Sequence, residues 1–342
     1  MPVAYGVYVN NRAAVFLGEK YPLAKLVEVA ELAEELGFDF VSVGDSLLAK
    51  PRYSPIPLLA HIAARTRRVR LATGILQPHM YHPVRLAQDW ATLDVLSGGR
   101  TIFAVGLGTG PRALVQQEYE LIGIPMSRRG KAFEESIEVV RKLWTEAQVT
   151  YSGSTYHLHK VSIGYGPMQR PHPPIIIAAG IFVPRHPGEG PNDYYRAASA
   201  GRFRYGPLER VARLGDGWIT GIITPEEYAA GLRRIRVVAE KQFQRTLNPS
   251  FLACLNCFIN VHEDGTVARS EGLAFMQEYH RLPFDDETVD RWLICGNPEQ
   301  CADRINRYVA AGVNTFQLVV ASPDQAGQIR RIAAEVLPLC RR

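Results

Sequence analysis

The chain alternates between amphipathic helical stripes and short apolar runs. In residues 23–36 apolar positions recur every three or four residues, and the glutamates of this stretch fall outside the apolar stripe. Gly37 follows, as expected for a left-handed helix C-cap, and the apolar run 38–43 (FDFVSV) has the length of a buried strand. The pattern therefore predicts one helix–glycine–strand unit.

The same cadence recurs in later parts of the chain and defines the fold class. It is found again in residues 93–106, 209–221 and 304–320, and further strands are predicted at 4–9, 69–75, 174–180 and 251–261. Eight buried strands that alternate with helices indicate an α/β fold with a parallel sheet. We expect a closed (β/α)₈ TIM barrel, with a doubly wound open sheet as the alternative. The pattern shows no second domain, so residues 1–342 are predicted to form one.

Three stretches interrupt this cadence. Residues 107–127 are predicted to be a loop after strand four, and residues 149–160 alternate around Ser152 and Gly153 like a small hairpin. Residues 181–206 are rich in Pro, Gly, Arg and Tyr. All three begin at or near strand ends, where barrel enzymes build their sites. The sequence thus predicts insertions after strands 4 and 5, with 181–206 as a lid over the barrel mouth or an arm onto a partner subunit.

Composition restricts the classes of function. Hydrophobic residues make up 46% and charged residues 21% of the 342, which excludes disorder across the chain. The net charge of +5 is too small for a dedicated nucleic-acid binder. No apolar run approaches the roughly 18 residues of a membrane span, and the N-terminal stretch does not resemble a signal peptide. Five cysteines, an odd number, favour reduced thiols and a cytoplasmic protein.

Metal and nucleophile motifs are weak. Cys254 and Cys257 lie three residues apart on a predicted strand, so they point to opposite faces and favour buried structural thiols over a metal or redox pair. The histidines show no metal-binding helical spacing, and no G-x-S-x-G motif of a hydrolase is present. We therefore expect no metal and no hydrolase-type nucleophile.

Two features at strand ends point to a ligand. Gly106, Gly108 and Gly110 in AVGLGTG follow strand four, where they predict either a merely tight turn or a backbone that a ligand approaches closely. Their G-x-G-x-G spacing is a poor match to the dinucleotide fingerprint. Asp45 stands just past strand two, where it either contacts a ligand or caps the following loop.

Several motifs, taken together and in order, resemble the luciferase-like superfamily of flavin and deazaflavin oxidoreductases. The resemblance runs over most of the chain. The motifs are VSVGDS (41–46), LATGILQP (71–78), HPVRLAQDWATLDVLSGGR (82–100), AVGLGTG (104–110), FEESIEVVRKLWTE (133–146), QRPHPPIIIAAG (169–180), ARLGDGWI (212–219) and CGNPEQCADRINRYVAAGVNTFQL (295–318).

The resemblance implies a (β/α)₈ barrel, usually a homodimer or larger homo-oligomer, with the flavin or deazaflavin ring at the C-terminal mouth. In this family the ring lies against a strand-three bulge with a non-proline cis peptide, which matches Gly74–Ile75 here. By the same match, Asp45 and Ser46 would be catalytic. The implied cofactor-binding residues are Asp45, Gly74, Ile75, Gln77, Gly106, Gly108, Thr109, Gly110, Ala179 and Gly180.

The chain also departs from the family's sugar-phosphate dehydrogenases. These place a histidine after the aspartate and an acid after the glycine-rich turn, where this chain has Ser46 and Pro111. The departure argues against a reaction of the glucose-6-phosphate type. Four cations near the strand-four loop could hold a cofactor phosphate or the glutamyl tail of coenzyme F420. They are Arg112, Arg128, Arg129 and Lys131.

The resemblance thus predicts an oxidoreductase that moves a hydride between reduced F420 or flavin and a small organic substrate. One alternative is an FMNH₂-dependent monooxygenase that uses O₂ and a partner flavin reductase. Another is a non-catalytic flavin-binding barrel. Thr109 and the strand-three motif favour F420 over FMN as the cofactor.

Overall fold

The computed structural model describes residues 2–16, 21–180, 206–281 and 283–341. The inserted segment predicted at 181–206 therefore lies outside the described residues, apart from Gly206, which begins a helix.

A closed parallel barrel forms the centre of the molecule. Its eight strands pair in the order β1-β2-β3-β4-β7-β8-β9-β11, and β11 pairs with β1 to close the ring. The strands are β1 (Ala4–Tyr8), β2 (Phe40–Val43), β3 (Arg70–Thr73), β4 (Thr101–Val105), β5 (Val149–Ser152), β6 (His157–Val161), β7 (Ile175–Ala178), β8 (Gly217–Thr220), β9 (Leu252–Val261), β10 (Leu293–Gly296) and β11 (Thr315–Val320). The eight predicted strands are the eight barrel strands. Closure confirms the TIM barrel and rules out the open sheet.

Helices connect the strands. They are α1 (Ala13–Phe16), α2 (Leu23–Glu35), α3 (Pro55–Arg65), α4 (Pro83–Leu96), α5 (Arg112–Leu121), α6 (Arg129–Thr145), α7 (Gly206–Leu214), α8 (Pro225–Phe243), α9 (Gly265–His280), α10 (Asp286–Trp292), α11 (Pro298–Ala310) and α12 (Gln325–Arg331). Gly37 follows α2 with φ +82°, a conformation that favours glycine, so the predicted end of this helix is confirmed.

Apolar side chains fill both faces of the barrel wall. One core joins the outer wall to the helices and contains Trp90, Trp144 and Trp218. A smaller core fills the barrel interior and contains Cys254, whereas Cys257 belongs to the outer core. The two cysteines are buried on opposite faces, as the strand period predicts. Burial raises the pKa of both thiols to about 12.

The structure differs from the sequence predictions in two places and confirms them in a third. Residues 107–127 are not a plain loop, because α5 forms within them and buries Val115, Glu118 and Tyr119 on one side. Strand β10 was not predicted; it is short and pairs only with the far end of β9. The hairpin predicted at 149–160 is present as antiparallel β5 and β6.

Within the described residues, no helix is long and apolar enough to cross a membrane.

Candidate active site at the carboxyl end of the barrel

A cavity of about 440 Å³ opens at the carboxyl ends of the barrel strands. Each barrel strand, or the segment just after it, contributes to its wall. Representative lining residues in strand order are Tyr8, Asp45, Gly74, Gly106, Ala178, Thr220, Asn256 and Gln317. The size and position are those of a small-molecule site in a TIM barrel.

The wall at the end of β3 is a backbone bulge. The peptide bond between Gly74 and Ile75 is cis, as predicted. The N–H of Gly74 donates to the Val43 carbonyl at 2.6 Å, and the N–H of Asp45 donates to the Ile75 carbonyl at 3.0 Å. These two bonds attach the bulge to the end of β2.

The opposite side of the bulge is attached to β4. Leu76 donates its N–H to Ala104 at 2.8 Å, and Gly106 donates its N–H to Leu76 at 2.9 Å. A Cβ on Gly106 would come within 2.8 Å of Cδ1 of Ile75, so a larger residue there would displace the Ile75 side chain. The bulge is therefore held through backbone atoms on both sides, and it presents Ile75 to the cavity.

Asp45 connects the cavity to the segment after the bulge. Its Oδ2 accepts the N–H of Gln77 at 3.0 Å, and its Oδ1 accepts the hydroxyl of Tyr81 at 3.3 Å. Burial raises the pKa of Asp45 to about 6, against the opposing effect of these hydrogen bonds. The carboxyl group thus lines the cavity and also fixes the backbone that follows β3.

The glycine-rich turn after β4 covers the next part of the wall. Gly108 has φ +74°, and a Cβ on it would overlap the side chain of Gln77. Thr109 lines the cavity beside it. Gly110 packs instead against Ala49, whose Cβ would be 2.7 Å from an added Cβ, and it is not part of the cavity lining.

The loop after β2 is organised by one carboxylate from α5. Oε1 of Glu118 accepts the backbone N–H groups of Leu47, Leu48 and Ala49 at 3.0, 2.6 and 3.0 Å. The hydroxyl of Ser46 donates to the same oxygen at 3.4 Å. Glu118 is 1% exposed, so this buried acid has its charge satisfied by the loop that it shapes.

Basic and phenolic side chains gather where this loop meets the end of α9. Nη1 of Arg52 donates to the Tyr8 hydroxyl at 2.7 Å, and that hydroxyl lies 3.2 Å from the hydroxyl of Tyr279. Nζ of Lys50 lies 3.5 Å from Nδ1 of His280. All five side chains line the cavity, so this part of its wall has several hydrogen-bond donors.

Two further arginines line the cavity. Arg129 stands at the start of α6, and Arg210 comes from α7. Nε of Arg210 donates to Glu134 at 3.0 Å, and its guanidinium lies 5.3 Å from the centre of the Phe133 ring. The cavity therefore has a second cationic region.

Comparison with known proteins identifies the family. The family model described as luciferase-like monooxygenase matches residues 3–181, more than half of the chain. The chain belongs to this family. The resemblance seen in the sequence motifs is thereby confirmed. The prediction that the chain is an enzyme, a luciferase-like oxidoreductase, is confirmed as well.

Relatives of this luciferase-like chain are similar over nearly their whole length. The F420-dependent glucose-6-phosphate dehydrogenase of Intrasporangium calvum is 29% identical over 94% of this chain and 96% of the relative. The 5,10-methylenetetrahydromethanopterin reductase of Archaeoglobus fulgidus is 25% identical over 90% of this chain and 93% of the relative. The crystal structure of the monooxygenase RslO1 from Streptomyces bottropensis aligns with TM-score 0.76 and 26% identity, over 98% and 99% of the two chains.

The structure brings together nearly all the site residues predicted from the sequence. The cavity is lined by Asp45, Ser46, Gly74, Ile75, Gln77, Gly106, Gly108, Thr109, Ala179 and Gly180. Gly110 is the predicted residue that lies outside its wall. Among the described residues, no cluster of three or more His, Cys, Asp or Glu side chains could hold a metal ion.

Other cavity residues were not predicted. The four predicted cations are all exposed, and of these Arg129 lines the cavity, whereas Arg112, Arg128 and Lys131 do not. Arg210 was missed because it is 81 positions further along the chain than Arg129. Lys50 and Arg52 were also missed, although they follow Asp45 by only five and seven positions. Their closeness to Asp45 along the chain could have indicated that they reach the same cavity.

Proposed function

We propose that this luciferase-like enzyme uses coenzyme F420 to transfer a hydride to or from a small organic substrate. The observation that carries the proposal is the meeting of the bulge, Asp45 and the glycine-rich turn in one cavity. Relatives named as F420-dependent enzymes, similar over the whole barrel, support the choice of cofactor.

The chemistry of the cavity wall fits a flat polar ring. Gly74, Gly106 and Gly180 line it without side chains, so a planar group can approach the backbone closely. The hydroxyl of Thr220 is buried and, among the described residues, has no hydrogen-bond partner. It is available to a ligand edge, because an unsatisfied buried hydroxyl is costly.

The cationic region formed by Arg129 and Arg210 suits the anionic part of the cofactor. Guanidinium groups make strong charge-assisted hydrogen bonds to phosphate and carboxylate. Arg112, Arg128 and Lys131 do not line the cavity, so we assign the role to Arg129 and Arg210, which do.

Each predicted catalytic residue has a distinct part in this proposal. Reduced F420 supplies the hydride when it is bound. Asp45 keeps the segment after the bulge in position through its bonds to Gln77 and Tyr81. Ser46 is also a positioning residue, since it helps to hold the loop after β2. Its hydroxyl accepts the N–H of Lys50 at 2.8 Å and donates to Glu118.

We do not propose glucose-6-phosphate as the substrate of this enzyme. Relatives that carry this name, such as those of Intrasporangium calvum and Amycolatopsis mediterranei, are 29% and 27% identical to this chain. Ser46 and Pro111 stand where the resemblance leads us to expect a histidine and an acid. Neither residue can transfer a proton near neutral pH as those groups do.

A second candidate is a monooxygenase that uses reduced FMN and O₂. It is favoured by the monooxygenase RslO1, one of the neighbours whose structures align over nearly the whole chain. The two candidates differ in their need for oxygen, since hydride transfer to an organic substrate consumes none.

Anaerobic oxidation of the reduced cofactor tests the proposal. The protein is mixed with reduced F420 and a series of simple ketones and aldehydes without oxygen, and cofactor oxidation is followed by absorbance. We expect oxidation that depends on the carbonyl compound and does not need air. Oxidation that needs O₂, and occurs with reduced FMN but not with reduced F420, would replace the proposal by the monooxygenase.

A further inference from the structure

Lys50 is held at both its backbone and its side chain on the cavity wall. Its N–H donates to Oγ of Ser46 at 2.8 Å, and its carbonyl accepts Nε of Arg52 at 3.0 Å. Its Nζ lies 3.3 Å from Oγ1 of Thr109 and 3.5 Å from Nδ1 of His280. The residue is 9% exposed, so its ammonium group has a fixed place beside the glycine-rich turn.

The surroundings of Lys50 are rich in positive charge. The titratable and charged groups near it come from the end of β1, the loop after β2, α5 and the end of α9. They are Tyr8, Arg12, Asp45, Arg52, Glu118, Tyr279, His280 and Arg281. Burial, followed by the charges of Arg52 and Arg12, lowers the pKa of Lys50 to about 7. A lysine in this state exchanges its proton readily near neutral pH.

Other acids and bases on this wall are less suited to proton transfer. Burial holds the pKa of His280 well below its usual range, so its imidazole is neutral. Burial raises the pKa of the Tyr8 hydroxyl, which keeps its proton. Both carboxylate oxygens of Asp45 already accept hydrogen bonds from the segment after the bulge.

We propose that Lys50 is the proton donor for a carbonyl substrate, an inference that rests on the hydride transfer proposed above. As hydride from the reduced deazaflavin forms the new C–H bond, the electron pair of the C=O π bond moves to oxygen. That oxygen takes a proton from Nζ of Lys50, and an alcohol is formed. The deazaflavin is oxidised by two electrons, and the neutral amine regains a proton from solvent.

The same wall favours a carbonyl oxygen over an apolar double bond. Arg52 lines the cavity next to Lys50, and its guanidinium stays charged. Fixed positive groups stabilise the negative charge that develops on oxygen as hydride arrives. The substrate class is therefore a ketone or aldehyde, or the matching alcohol in the reverse direction.

Single-turnover kinetics and chemical rescue test this role. Lys50→Ala and the exposed control Lys241→Ala are each loaded with reduced F420 and mixed anaerobically with butanone, cyclohexanone or benzaldehyde. We expect Lys50→Ala to lower the rate by roughly 100-fold, as for loss of a general acid. The F420 dissociation constant should be unchanged, and added propylamine should restore part of the rate. The wild-type rate should fall as the pH rises above about 7.

A titration without cofactor provides an independent measurement. Lysines are dimethylated with ¹³C-formaldehyde, and the resonance missing in Lys50→Ala is followed against pH by NMR. We expect a midpoint near 7, against the ordinary lysine value of 10.5. A midpoint near the ordinary value overturns the inference.

The kinetic outcomes separate this inference from the proposed function. If Lys50→Ala keeps the wild-type rate and pH profile, another group donates the proton while the hydride transfer stands. If Lys50→Ala instead loses F420 binding, Lys50 is a binding residue and the inference is wrong. If the wild-type protein binds reduced F420 but reduces none of the carbonyl compounds, the proposed function fails, and the inference fails with it.

Discussion

Two parts of the cavity wall are built in different ways. The bulge wall, residues 74–77, is held mainly by backbone hydrogen bonds to the neighbouring strands β2 and β4. The loop wall, residues 46–52, is held mainly by side chains, and the buried carboxylate of Glu118 on α5 accepts three of its backbone N–H groups. The bulge therefore follows from the barrel itself, whereas the loop depends on a helix some 70 positions away along the chain.

This difference separates the two tasks of the site. The bulge wall offers the backbone at Gly74 and the apolar side chain of Ile75, which suit the ring of the proposed cofactor. The loop wall offers Lys50 and Arg52, whose charges suit one class of substrate. Changes to the loop wall should alter the reaction rate and leave the affinity for the cofactor intact. Changes to the bulge wall should lower the affinity for the cofactor.

Removal of the Glu118 carboxylate should have the largest effect. Glu118→Leu leaves the N–H groups of Leu47, Leu48 and Ala49 without their acceptor and removes a buried carboxylate, at a cost of about 3 kcal/mol in the free energy of unfolding. Urea unfolding measures this loss. The remaining folded protein should bind F420 as before but oxidise the reduced cofactor slowly with a carbonyl compound.

Two variants control for this change. Glu118→Gln keeps one acceptor oxygen and should lose much less stability. Glu120→Leu lies on the exposed part of the same helix and should be nearly neutral. Equal stability of Glu118→Leu and Glu120→Leu would contradict the assignment of Glu118 as the organiser of the loop wall.

A side chain added at Gly106, which contacts the bulge wall through Ile75, should have the next largest effect, and this effect should be on cofactor affinity. In Gly106→Val the new Cβ would press on the side chains of Ile75 and Ala178, which lie 2.8 and 3.0 Å from it. Overpacking of this kind costs about 1–3 kcal/mol, and the displaced Ile75 would intrude on the cofactor. Fluorescence titration should show F420 affinity reduced by roughly 10- to 100-fold.

The matched control is Gly265→Ala at the start of α9. Its added Cβ would have Gln300 as nearest neighbour at 3.6 Å, an ordinary contact. This variant should bind F420 like the wild type. Unchanged affinity in Gly106→Val would show that the bulge wall does not hold the cofactor.

The ionisation of Asp45 should have the smallest effect, visible in the pH dependence of stability. Its pKa is raised from 3.8 to about 6 in the folded protein, so the folded state binds this proton more tightly than the unfolded state. The resulting stabilisation is present at low pH and is lost as the pH rises through about 6. Wild type should therefore lose about 1–2 kcal/mol relative to Asp45→Asn between pH 4 and 7.

Urea unfolding of both proteins across this range measures the difference. Unfolding free energies that run parallel from pH 4 to 7 would contradict the raised pKa. The uncharged Asn keeps an oxygen to accept the N–H of Gln77, so the comparison isolates the ionisation from the hydrogen bond.

The sequence predicted the barrel well because its elements follow local rules. The buried strands show apolar runs, Gly37 ends a helix with positive φ, and the eight strands close into the expected ring. Local patterns of this kind need no knowledge of distant contacts. The cis bond at Gly74–Ile75 was also predicted, but from the resemblance of the strand-three motif to the luciferase-like family.

Features that depend on distant contacts were missed. Helix α5 was predicted as loop, since its buried side includes the charged Glu118, whose partners lie in another part of the chain. Strand β10 pairs with only the end of β9, so its four residues show no distinct pattern. Arg210 is by itself an ordinary basic residue, and only the folded barrel brings it to the cavity.

The central claim is that the cavity binds a deazaflavin in preference to a flavin. Equilibrium dialysis of the purified protein against an equal mixture of F420 and FMN, with both quantified in the protein compartment, tests it most directly. We predict retention of F420 in excess over FMN, and loss of that retention in Gly106→Val but not in Lys50→Ala. Retention of FMN with exclusion of F420 would contradict the account.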